Sequence, residues 1–105
     1  MGSLGLALAG VFMLAQLELD CARPVAARNL VGRVMLSELE GAEDIHRAAM
    51  WDAFGRCPPG PGREPCAGAA RERFDAEWKR QKAAIEAKYQ KILERFEERC
   101  RSSLT

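Results

Sequence analysis

Hydrophobic positions along the chain fall into three regimes. Residues 4–17, LGLALAGVFMLAQL, form an apolar run in which Gln16 is the one polar side chain. Residues 18–29 mix polarities around Pro24 and read as a connector. From Leu30 the pattern becomes periodic: Val31, Val34, Met35, Leu39, Ala42, Ile45, Ala49 and Ala53 recur at steps of three and four. One face of a 3.6-residue helix requires that spacing. Gly41 interrupts the stretch and costs about 1 kcal/mol relative to alanine, which predicts a kink or a break there.

Arg56 to Arg63 reads RCPPGPGR, and this segment cannot continue a helix. Each proline lacks an amide donor and restricts the residue before it. A turn is therefore expected, followed by a second helix from Ala67 to Arg101 that contains no proline and no glycine after Gly68. Phe74, Trp78, Ile85, Tyr89, Ile92, Phe96 and Cys100 fall within a sector of about 80° at 100° per residue. Phe74, Ile85 and Phe96 repeat at eleven residues, as do Trp78, Tyr89 and Cys100. Such a repeat follows a nearly straight helix rather than the left-handed supercoil of a strict heptad. Gln81 is the polar exception in this stripe.

An aromatic stripe of that length requires a covering partner. The 30–55 segment, returned antiparallel by the Pro/Gly turn, is the nearest one. It is net acidic where the second helix is net basic, so pairing is electrostatically mild and favourable. The expected fold class is all-α: an antiparallel helical hairpin with one long C-terminal amphipathic helix, plus an apolar N-terminal helical segment. Two helices bury little, so disulfides, a third helix or oligomerisation must add stability.

The apolar run is too short to span a bilayer core of about 30 Å, which takes about 20 residues of helix. It matches the apolar region of a secretory signal, although Met1, Gly2 and Ser3 bring no basic side chain. We divide the chain into residues 1–22, an apolar signal-like segment with a cleavage site somewhere within 21–27, and residues 23–105, a single hairpin domain. The mature chain is then expected to carry no stable membrane span. A buried helix of a cytosolic protein is the alternative. Myristoylation is not supported, because Leu6 stands where Ser or Thr is needed. A mitochondrial presequence is not supported either, because Glu18 and Asp20 precede the first arginine, Arg23.

Four cysteines, Cys21, Cys57, Cys66 and Cys100, allow three pairings. Cys57 and Cys66 flank the turn, so a bridge between them closes the tip. The two arms, Cys21 to Cys57 and Cys66 to Cys100, are nearly equal, which brings Cys21 and Cys100 to the open end. Nested bridges would pin both ends in an oxidising compartment. Cleavage between 21 and 27 would instead remove Cys21 and leave Cys100 free to link two copies as a homodimer. Cys57–Cys66 is common to both schemes; four reduced thiols in a cytosolic protein are the alternative to either. In outline the arrangement is similar to twin-cysteine organellar hairpins, but their paired C-x9-C spacing is absent and nothing is carried over from them.

Composition narrows the function by exclusion. A net charge of +1 lacks the basic footprint of a nucleic-acid binder, and the run Lys79-Arg80-Gln81-Lys82 reads as a solvated helix face. No C-x-x-C, phosphate loop, G-x-S-x-G or H-E-x-x-H motif occurs. His46, the one histidine, falls on the apolar face of the first helix, where it is expected to pack rather than act as a base. No cofactor, metal or catalytic group is therefore expected. The expected role is that of a small secreted or lumenal, disulfide-stapled helical protein that binds a protein partner. The alternative is an intracellular or organellar coiled-coil assembly subunit with reduced cysteines. Trp78, Tyr89 and Phe96 are the candidate partner-binding residues, since aromatics dominate interfaces. The competing account of these rings is that the intramolecular core covers them.

Overall fold

In a computed structural model the described residues are 19–103, and they form two helices, α1 (Pro24–Gly55) and α2 (Arg63–Ser103). The helices lie antiparallel in a rod of 68 × 21 × 17 Å. The apolar run at 4–17, with the signal-like reading attached to it, lies outside the described residues.

Both helix starts precede the positions expected from the sequence. Pro24, read as part of a connector, opens α1 instead, because a first-turn proline forgoes a donor that has no intrahelical partner there. Ahead of it Asp20 organises a turn: its carboxylate accepts from the Ala22 amide at 2.9 Å and its carbonyl accepts from the Arg23 amide at 3.0 Å. Helix α2 starts at Arg63 rather than Ala67 for the same reason, since Pro65 sits in its first turn. Between the helices, Arg56 and Cys57 donate to the carbonyls of Ala53 and Phe54, tightening the end of α1. Gly60 then takes a φ of +97°, a conformation open to glycine at little steric cost, and the chain reverses.

The break anticipated at Gly41 does not occur; α1 runs through it without interruption. A cost near 1 kcal/mol is outweighed locally by the packing of Leu39 and Ala42 on either side. The buried face of α1 also turns away from the expected line beyond Ala42. Ile45 is 48% exposed and Ala49 is exposed as well, while His46 takes the inward position. The reason lies in α2. Its ring-bearing face repeats every eleven residues, and α1 matches it with Val31 and Ala42, also eleven apart, followed by His46 one turn later.

Val31, Ala42, Ile85 and Tyr89 form the central cluster, with Leu30, Val34, Met35, Leu39, Trp78 and Ile92 packed around it. Ala27 and Phe96 are buried towards the open end, and Cys57 and Ala70 towards the tip. This is a thin core. Covalent bonds close both its ends: Cys57–Cys66 with Cα atoms 5.8 Å apart and Cys21–Cys100 at 5.3 Å. With Cys21 held in this way, Cys100 is not available for the intermolecular bridge considered for a chain lacking Cys21, and no cysteine is free.

The two bridges differ in the chain they close, with sequence separations of 79 and 9. On the chain-entropy account these loops are worth about 4.5 and about 2.6 kcal/mol. Replacing Cys21 and Cys100 by serine should therefore destabilise the rod more than replacing Cys57 and Cys66, by about 2 kcal/mol. Denaturant unfolding of the two double variants measures the difference.

Candidate interaction surface

A polar clasp fixes the register of the helices. Glu38, on the inner face of α1, has a side chain only 9% exposed. Its carboxylate accepts from Lys88 Nζ at 2.6 and 2.7 Å and from the Tyr89 hydroxyl at 2.8 Å. Tyr89 is 1% exposed. Burial first, and then the hydrogen bond to the Glu38 carboxylate and its negative charge, hold the phenol well above its ordinary value. Lys88 stays partly in solvent, with its ammonium 5.1 Å from the centre of the Tyr89 ring. The clasp is thus a largely buried carboxylate with both oxygens satisfied. It supplies no free acid or base for chemistry.

Nearer the tip, His46 packs among rings. Its imidazole meets Phe74 edge-on at 5.3 Å and lies tilted against Trp78 at 5.7 Å. Its Nε2 is buried with no hydrogen-bond partner. No cluster of His, Cys, Asp or Glu among the described residues is arranged to hold a metal ion.

Of the three candidate partner-binding rings, Tyr89 and Phe96 are buried against α1, and Trp78 is half-buried beside His46. The structure therefore brings them into the intramolecular core. Charged residues cover the edges of this seam: Arg99 stacks over Phe96 and donates to the Leu19 carbonyl, and Arg28 pairs with Glu97 at 3.5 Å.

Comparison with family models, curated proteins and solved structures finds no match to this chain.

Among the described residues, the large hydrophobics that remain exposed lie on α1. Val25 is 65% exposed, Leu36 54% and Trp51 62%. Trp51 stands against Phe54 edge-to-face at 5.4 Å, and Arg71 reaches over the outer Phe54 ring at 5.7 Å. At 100° per residue Val25, Leu36 and Trp51 share one line of α1, a sequence signal interrupted by charged residues and so weaker than the continuous stripe of α2. At the open end a depression of about 330 Å³ is lined by Pro24, Arg28, Phe96, Glu97, Arg101 and the Cys21–Cys100 bridge. It offers one carboxylate among its arginines and no convergent donor set.

The chain has a single tyrosine, so tyrosinate absorbance reports Tyr89 alone. Native protein should remain un-ionised at pH 10, where the unfolded chain is half titrated. A raised native value means that the clasp's contribution is present below about pH 10 and is lost as the pH climbs towards the folded value. Tyr89→Phe should flatten that alkaline loss in unfolding curves. At neutral pH, Glu38→Ala should cost about 1–3 kcal/mol by orphaning the buried hydroxyl. Conversely, His46→Leu should raise stability by about 1 kcal/mol, because it removes an unpaired buried nitrogen.

Proposed function

The chain is a small disulfide-bonded domain of two helices, and none of its described helices is long and apolar enough to cross a membrane. We propose that it works in the secretory pathway or outside the cell, as a non-catalytic rod that recognises another protein. The observation that carries this reading is the nested pair of bridges. They close both ends of a core too thin to hold two helices on its own, and such bonds persist in oxidising compartments. Support for a binding role comes from the outer side of α1, where Val25, Leu36 and Trp51 stand in water on a covalently braced scaffold. Rigid presentation of exposed apolar side chains lowers the entropy lost on association.

The reading also relocates the expected processing site. A cut between residues 21 and 27 would separate Cys21 from Cys100 and release the open end. Processing is therefore expected upstream of Cys21.

Expression through a secretory pathway, followed by N-terminal sequencing and intact mass with and without reductant, tests the proposal. The expected product is found outside the cytosol, begins before Cys21, and gains four hydrogens on reduction, two for each bridge. A full-length, fully reduced product retained in the cytosol would overturn the proposal in favour of a coiled-coil assembly subunit.

A further inference from the structure

Resting on that reading of a protein-binding rod, we propose that the partner fitting the outer face of α1 is a second copy of this chain, docked antiparallel about a two-fold axis beside Leu36 and Glu40. All the large hydrophobics exposed among the described residues belong to α1. Three of them, Val25, Leu36 and Trp51, lie within about 80° of one another at 100° per residue, on the side turned from α2. The fourth, Ile45, lies near the opposite flank. Val25 and Leu36 are eleven residues apart, the same spacing that aligns α1 with α2. The outer line therefore runs parallel to the core instead of winding around the helix.

The order of residues on this line is self-complementary. Position 38 is midway between Val25 and Trp51, and it is also midway between Arg33 and Glu43 and between Asn29 and Arg47. Glu38 itself faces inward to Lys88 and Tyr89, so the axis passes over the outer surface at that level. When two such helices meet antiparallel with this level shared, each Trp51 falls on the other copy's Val25. Each Arg33 falls on a Glu43, and each Arg47 on an Asn29. Each Leu36 falls beside the other copy's Glu40, against its methylenes, with the two Leu36 side chains flanking the axis; no like charges stand directly opposite. A symmetric dimer requires this kind of matching, because the same patch must serve both sides.

The charged members are free to exchange partners. Glu43 bonds Arg47 within its own helix, but both side chains are about half-exposed, so the contact is weak in water. Gly32, at the edge of this face, has open space where a side chain would begin. Both disulfides join the flanks of α1 to α2, so neither sulfur pair is drawn from the residues of this face.

Sedimentation equilibrium of the oxidised, exported chain over a range of concentrations tests the inference. A dimer that dissociates on dilution is expected, and Leu36→Glu or Trp51→Glu should leave a monomer with unchanged helicity and intact bridges. Arg33→Glu and Glu43→Arg should each weaken association about tenfold or more, and combining them should restore it, since the swap rebuilds both cross-copy pairs. An oxidised, exported chain that stays monomeric at every concentration overturns the dimer and leaves the protein-binding reading standing. A dimer indifferent to the Arg33/Glu43 swap overturns the proposed face. A reduced, retained chain overturns the earlier reading instead.

Discussion

The ring-bearing face of α2 has to be covered, and α1 alone can cover only one side of it. Two helices in contact leave most of each cylinder in water, so hydrophobic burial here is concentrated in a few side chains, chiefly Val31, Tyr89 and Phe96. The remaining stability must come from lowering the entropy of the unfolded chain. That is what bridges at both ends of the rod supply. The inward rings align the two helices, and the bridges lower the entropy of the unfolded chain that this alignment has to overcome.

Within that frame Glu38 sets position more than strength. Its attraction for Lys88 is partly screened, because the ammonium is solvated. The hydrogen bond from Tyr89 is a different matter, since an aromatic side chain with almost no exposure cannot leave its hydroxyl unpaired without cost. A slip of one residue between the helices would break this bond and misalign both disulfides together. Three separated contacts thus select one register, which a narrow apolar seam by itself would specify poorly.

Much of this architecture was legible in the residues. The Pro/Gly corner, the inward stripe of α2 and the near-equal cysteine arms all rest on local chemistry or simple periodicity, and the structure follows them. Glycine at 41 and proline at 24 and 65 misled the reading because propensity is a weak local preference. Position within a turn, for the prolines, and packing of the neighbours, for the glycine, decided the outcome. Ile45 was assigned inward by counting along α1 alone. Its true orientation depends on the eleven-residue repeat of the partner helix, which no reading confined to one helix can supply.

The rings of α2 that the sequence offers for partner binding lie in the seam with α1. Aromatics carry a strong prior for interfaces, and the rings of α2 are the more regular set. Regularity, however, is a mark of the core, because only a continuous partner imposes a continuous period. A recognition surface answers to a different molecule and need not repeat along the chain. Val25, Leu36 and Trp51 share a line along α1 but are interleaved with Arg33, Glu43 and Arg47, a mixture unsuited to a buried core. In a rod whose seam is filled and closed at both ends by disulfides, these side chains are the apolar surface that the fold of the described residues leaves to solvent on the outer side of α1.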